Sequence, residues 1–327
     1  MHGGPRSRKG MVTVLGALNW DTTLFLHGFA RPGEEVPVLD SIEGPGGKGG
    51  NVAVAAARIM GKQRVALVGA VGRDLAGERL IRSLTDEGVD ASGVVSKDTR
   101  TGHAFVLVDH LGRKTIHTDF GANNRLNPRD LRLRGARDAI SRTGVMIIMD
   151  VPVATGIEAA RVSKGSGARV ILNPGVRCRR GVAPLRAALS VADSLVVNEN
   201  ELFGLCGTGR PDRAFSLLHE EFPGLTVVST SGPRGAAVSS MGNLETIAPL
   251  GLPELGLKVV NSTGAGDAFL AAYAAYRLGG ADPVVAARWG NLAGALKSTR
   301  NETRGSPTRK ELENIMPSYS KQSLSDW

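Results

Sequence analysis

Asn261-Ser262-Thr263-Gly264-Ala265-Gly266-Asp267-Ala268-Phe269 lies between a strand-like run, Leu257-Lys258-Val259-Val260, and a nearly unbroken apolar, alanine-rich segment at 268–278. The latter reads as a buried helix, so the stretch is expected to be a strand-to-helix turn. Two glycines around one small residue let the backbone turn tightly and aim several N–H groups outward. At a helix N-terminus those donors and the macrodipole favour an anion such as phosphate. One carboxylate, Asp267, stands at the mouth of the turn. It has two readings: it caps the first turn, or it takes the proton from a hydroxyl that attacks a phosphoryl group.

Working outward, the chain alternates short apolar runs with helical segments. Residues 12–17, 64–71, 145–149, 170–172, 195–197 and 225–229 read as strands, and 52–60, 283–298 and 307–316 as helices. Such alternation predicts an α/β fold, a doubly wound and mostly parallel sheet with helices on both faces. Polar groups gather where strands end: Asn19 and Asp21, Asp150, Asn173, Asn198 with Glu201, and Thr230-Ser231-Gly232. Ligands of open α/β sheets bind along that edge, although each residue alone also reads as a helix cap. Two excursions break the alternation, 22–44 and 101–121, each with hairpin patterning around a turn. Together they are expected to form a small antiparallel β lid that also offers edges for a homodimer.

Gly44, Gly46 and Gly49 satisfy G-x-G-x-x-G, but the strand that follows ends in Gly72 and Arg73 rather than an acidic residue, so the dinucleotide reading is rejected. Nor is 42–49 a Walker A loop, because Ile42 and Gly49 stand where a glycine and a Ser or Thr are needed.

The 327 residues suffice for one large domain with a sizeable core. The formal charge of +9 comes from dispersed arginines, and aromatics make up only 4%, which disfavours a nucleic-acid platform. Cys178 and Cys206 have no ligand-like spacing and read as reduced thiols of a cytoplasmic protein. The run 11–18 is too short and glycine-broken for a membrane span. Residues 1–10 read as a disordered leader and 317–327 as a frayed polar tail.

Two motifs, Gly46-Gly47-Lys48-Gly49-Gly50-Asn51 and Asn261 to Asp267 with Ala268-Phe269, resemble the two signatures of the ribokinase-like (PfkB) family of carbohydrate kinases. The resemblance extends over 11–316 and includes Gly121-Ala122-Asn123, Thr230 to Gly235 and Gly305-Ser306-Pro307. It implies ATP and Mg²⁺ as phosphoryl source and a primary sugar hydroxyl as acceptor. Asp267 would be the base, and the backbone N–H groups of Gly264, Ala265 and Gly266 would hold the developing charge. Asn19, Asp21, Gly47, Lys48, Asn51 and Asp150 match sugar-side positions, while Asn198, Thr230, Gly232, Gly235 and Asn291 match the nucleotide side. Glu201 would face magnesium through water.

The motif forms are similar to those of ribokinases rather than fructokinases or adenosine kinases, which implies ribose as acceptor. A nucleoside or ribose 1-phosphate would offer the same hydroxyl, and an inactive sugar-binding regulator could keep the fold. Three departures stand out. Asp150 replaces a Glu and reaches one methylene less. Asn261 replaces an Asp beside a monovalent-cation loop, which leaves potassium activation open. Gly50 replaces an alanine, a change expected to have no consequence.

Overall fold

A computed structural model describes residues 10–325, the side chains of 320–325 excepted; the leader expectation for 1–9 lies outside the described residues. The chain runs β1 (Met11–Gly16), β2 (Asn19–Leu26), β3 (Val38–Gly46), α1 (Lys48–Met60), β4 (Val65–Gly72), α2 (Leu75–Asp86) and β5 (Asp90–Lys97). Then come β6 (Gly102–Val108), β7 (Lys114–Asp119), α3 (Arg134–Arg142), β8 (Thr143–Met149), α4 (Val153–Gly165), β9 (Arg169–Asn173), α5 (Arg186–Leu189), β10 (Ser194–Asn198), α6 (Glu199–Cys206) and α7 (Pro211–Glu221). The last part holds β11 (Thr226–Thr230), β12 (Ala236–Ser240), β13 (Asn243–Ile247), α8 (Ala265–Leu278), α9 (Pro283–Ser298) and α10 (Arg309–Ser325).

Side chains of a strand alternate between its faces, and here the alternation sorts the core into two layers. Val12, Val14, Val145 and Ile147 pack with α1, α8 and α9, whereas Leu15, Met146 and Ile148 pack with α3, α4 and α7. Both faces are therefore apolar, which explains why these strands read as continuous hydrophobic runs. The nine-stranded sheet has the order β13-β12-β11-β10-β9-β8-β1-β4-β5. Its pairs are parallel except at one edge, where β12 runs antiparallel between β11 and β13. From β1 the order runs outward both ways, so the crevice at the carboxyl ends of β1 and β8 is the topological switch point.

The two excursions join in a second sheet, β3-β2-β6-β7. Each is an antiparallel pair, and β2 and β6 meet in parallel register from Asn19↔Gly102 to Phe25↔Val108. Because β2 starts three residues after β1 ends, this sheet stands over the switch point.

Two expectations fail. Residues 257–260 form no strand: Val259 and Val260 are exposed, and the Val260 and Asn261 N–H groups both donate to Ser298 O. The turn before α8 is thus reached from a loop strapped to the end of α9. The tail reading also fails, since α10 continues past Pro317 to Ser325. Tyr319 explains this: its ring is buried, and its hydroxyl donates to Ala248 O at 2.7 Å and accepts from Asn291 Nδ2 at 2.8 Å.

Candidate active site

Gly264 caps α8 with φ +85, a left-handed conformation that favours glycine. A Cβ there would also lie 2.3 Å from Thr303 O. The N–H of Ala265, expected to face an anion, instead donates to Ser262 O at 3.1 Å. Among the described residues, the N–H groups of Gly264, Gly266 and Asp267 have no backbone partner. Gly266 is exposed, whereas Gly264 and Asp267 are half-buried. The backbone donors left available to an anion at this turn are therefore Gly264, Gly266 and Asp267 N–H, without the Ala265 N–H that was expected among them.

Asp267 lies in the first turn of α8, and its Oδ2 accepts from Asn51 Nδ2 at 3.0 Å. Asn51 Oδ1 in turn accepts from Arg304 Nε at 3.1 Å, while Arg304 Nη1 donates to Ser83 Oγ at 2.9 Å and Nη2 to Gly46 O at 3.2 Å. One guanidinium thus ties α1, α2 and β3 together behind the carboxylate. Arg304 escaped the sequence reading because it sits in a charge-rich stretch, 300–304, that looks like a solvated loop. Its signal is Gly50, where a Cβ would come 2.6 Å from Arg304 Nη2. A methyl at the glycine expected to be without consequence would thus meet the movable end of this guanidinium.

On the other side of the crevice, Lys48 Nζ lies 3.2 Å from Asp150 Oδ2 and 3.7 Å from Glu201 Oε1. Burial works against the Lys48 ammonium, but Asp150, Glu201 and Asp267 together outweigh it and hold the group protonated well above its ordinary value. Asp150 has φ +49, a strained conformation for a non-glycine residue, and its buried Oδ1 has no hydrogen-bond partner. Asp21 Oδ1 is likewise buried and unpartnered. Burial pushes the Asp21 carboxyl up to about 7; the Arg304 charge and the Gly47 N–H pull it down, and the Asp267 charge adds to the rise. Asn19 Oδ1 accepts from Asn123 Nδ2 at 2.9 Å, which fixes the amide. Gly47, at φ +79, caps α1 where a Cβ would meet Asn19 N at 2.5 Å. All six sugar-side candidates thus come to the ends of β1, β2 and β8 and the start of α1.

The nucleotide-side candidates are more dispersed. Asn198 and Glu201 form a capping box on α6: Asn198 Oδ1 accepts from Glu201 N at 2.9 Å, and Glu201 Oε2 accepts from Asn198 N at 3.0 Å. Glu201 therefore caps α6 and also faces Lys48. Thr230 ends β11 and Gly232 is exposed beyond it, whereas Gly235 is buried, its would-be Cβ 2.0 Å from Ile247 O. Asn291 directs its amide elsewhere, to Ala248 O at 2.9 Å and to Tyr319, so both donors hold α9 to the end of β13 and to α10. Asn261 donates to Asn301 O at 2.7 Å and accepts from Thr263 N at 2.9 Å.

A doubly wound sheet, a second sheet over its switch point and a helix N-terminus with free N–H groups beside a buried carboxylate define a phosphoryl-transfer class of site. Comparisons specify it further. The pfkB family carbohydrate kinase model matches residues 9–310. Ribokinase of Haemophilus influenzae is 30% identical over 92% of this chain and 96% of its own length. The ATP-dependent ribose-1-phosphate kinase of Halopiger xanaduensis is 30% identical over 91% and 96%. Among solved structures, ribokinase of Thermotoga maritima superposes with a TM-score of 0.79 at 26% identity, covering 94% of this chain and 99% of that one. Arabidopsis thaliana ribokinase complexed with ribose and ATP gives 0.78 at 26% identity, covering 94% and 98%. The chain belongs to the pfkB family of carbohydrate kinases and is a phosphotransferase with an alcohol group as acceptor.

Proposed function

We propose that this kinase transfers the γ-phosphoryl group of ATP to the 5-hydroxyl of ribose, in the cytoplasm, with Asp267 as general base. The observation that carries the reading is the pairing of Asp267 with free N–H donors on one side and unpartnered buried carboxylate oxygens on the other. Oδ1 of Asp21 and of Asp150 can each accept from a sugar hydroxyl, and a ligand lacking that hydroxyl leaves the oxygen unsatisfied. Asn51 holds the Asp267 carboxylate toward the acceptor, and the N–H groups of Gly264 and Gly266 take up charge on the transferred group. Among the described residues no cluster of three His, Cys, Asp or Glu is arranged to bind a metal. Mg²⁺ carried on the nucleotide phosphates, met by Glu201 through water, fits that donor set and would neutralise charge between the phosphates. Thr230, Gly232 and Gly235 would border the nucleotide. The second sheet would close over the sugar and keep water from competing as acceptor.

A ribose-1-phosphate or nucleoside acceptor is the second reading, favoured by the equal identity of the ribokinase and ribose-1-phosphate kinase relatives. Comparing kcat/KM for ribose, deoxyribose, fructose, ribose 1-phosphate, adenosine and cytidine separates them. Highest kcat/KM on ribose supports the proposal; a preference of tenfold or more for another acceptor, about 1.4 kcal/mol, sinks it.

The pH dependence follows from the charges around the base. Burial raises the Asp267 carboxyl; the Asn51 hydrogen bond and the Lys48 charge lower it, and Asp150 and Glu201 raise it. The net shift is upward, so the base ionises above the ordinary value of 3.8, and the acid limb of kcat/KM lies above that value. Lys48→Met removes a charge that favours the ionised form and is expected to move the limb further up. A limb at or below 3.8, or one that moves down in the variant, contradicts the assignment.

The second sheet also offers a dimer surface. Register places Ile42, Thr23, Val106 and Ile116 in one cross-strand row, with Ile42 and Ile116 each more than half exposed. Apolar groups so exposed favour association through this face. Wild type is expected to sediment as a dimer and Ile42→Asp as a monomer; a monomeric wild type at assay concentration refutes the interface.

A further inference from the structure

Lys297, on the last turn of α9, has none of its surface exposed, and among the described residues it forms no ion pair. A buried ammonium without a carboxylate needs other oxygens to replace its hydration. Lys297 Nζ donates to Asn261 O at 2.9 Å and to Arg300 O at 3.3 Å. Asn261 O opens the turn that carries the anion site, and Arg300 O belongs to the segment that follows α9. The same two stretches are joined by the N–H groups of Val260 and Asn261 on Ser298 O and by Asn261 Nδ2 on Asn301 O. Lys297 Cε also lies 3.5 Å from the would-be Cβ of Gly264. The ammonium is thus packed directly beneath the turn whose N–H groups face the transferred group.

The family resemblance implies a monovalent cation beside this loop, and the residues present do not fit one. A potassium ion would need the loop carbonyls as ligands, and the carbonyls of Asn261 and Arg300 already accept from a tethered cation of similar charge and donor reach. The carboxylate of the family's motif is an amide here, Asn261, so position 261 itself offers no negative charge to a free ion.

We propose that the ammonium of Lys297 is a built-in monovalent cation: it braces the loop ahead of α8 and adds positive potential under the anion site, so that the enzyme works without K⁺. The inference rests on the phosphoryl-transfer reading for its effect on rate, though not for its effect on ion binding. The other charged groups facing Lys297 are Glu302, Lys114, Asp267 and Arg300. They comprise two positive and two negative groups, so the loop's net charge without Lys297 does not itself replace the cation. Lys297 touches no substrate and acts by positioning the turn.

The test uses the full chain at pH 7 with Mg²⁺, ATP and its best acceptor, at ionic strength fixed with tetramethylammonium chloride. Wild type is expected to change less than about twofold when K⁺ or NH₄⁺ replaces tetramethylammonium. Lys297→Met is expected to lose at least about tenfold in kcat with little change in acceptor KM, because a fixed charge that holds the turn under the transferred group acts mainly in the transition state. Lys297→Ala leaves room for an ion; K⁺ or NH₄⁺ should restore part of its kcat and raise its melting temperature, while leaving that of wild type unchanged. K⁺ activation of wild type by tenfold or more overturns the proposal. So does a Lys297→Met enzyme with wild-type kcat, or a folded Lys297→Ala enzyme that neither ion rescues. The melting-temperature comparison needs no turnover, so an enzyme inactive on every acceptor defeats the acceptor reading while leaving this inference tested. If both variants fail to fold, the cation response of wild type decides.

Discussion

Asp267→Asn is expected to lower kcat by about 10²–10⁴-fold, with the apparent affinity for ATP nearly unchanged. The substitution keeps the shape of the side chain and removes only its ability to take a proton. The partner is set for a carboxylate: Asn51 Nδ2 donates to Asp267 Oδ2, and Asn51 cannot turn over without giving up Arg304 Nε on its Oδ1. The variant amide must present its oxygen to Asn51 and its NH₂ to the acceptor hydroxyl, a donor where an acceptor is needed. The loss therefore falls on the chemical step, read as a drop in kcat and kcat/KM together. Turnover near the wild-type level would show that Asp267 only caps the first turn of α8, the other role an aspartate takes there.

Arg304→Met is expected to destabilise the protein by about 3–5 kcal/mol, the usual scale for breaking up a buried charged network. The methionine fills part of the volume but leaves Asn51 Oδ1, Ser83 Oγ and Gly46 O without their donor. It also frees Asp21 from the charge that most opposes its protonation, so that carboxyl rises further above about 7. The sign follows: a carboxyl held above its unfolded value is stabilised in its neutral form, so its contribution to stability is lost as pH rises through the folded value. The Arg304→Met defect is therefore expected to deepen between pH 6 and pH 8, as urea unfolding at the two pH values would show. Gly50→Ala should lose less, because its methyl meets the movable end of the guanidinium rather than backbone. A stability within about 1 kcal/mol of wild type for Arg304→Met would show the network to be dispensable.

The parts of this molecule that were legible in the sequence are those where local chemistry and long-range structure agree. Parallel strands buried on both faces read as apolar runs, and α9 occupies the residues expected of it, 283–298, where Asp282 caps its start by accepting from the Val284 and Val285 N–H groups. Asp267 and the sugar-side candidates were named because motifs concentrate chemistry in short stretches, and the fold brings them to one crevice. What escaped was decided by distant neighbours. Val259 and Val260 have strand propensity but no strand to pair with, since the end of α9 takes the N–H groups of Val260 and Asn261. The Ala265 N–H was assigned to an anion because its closure onto Ser262 O depends on the loop's path. Arg304 and Lys297 look like surface charges until α1 and the loop ahead of α8 close over them, and the absence of a side chain at Gly50 bears on Arg304 alone. Tyr319 shows the same effect at the chain end, where one buried ring turns an expected tail into helix.

Transfer to a primary sugar hydroxyl is tested most directly by the position of phosphate in the product. After incubation with ATP, Mg²⁺ and ribose, two-dimensional ³¹P–¹H correlation should show the new phosphorus coupled to the two C5 protons. Coupling to the C1 proton instead, or no phosphorylated sugar with ATP left intact, would contradict it.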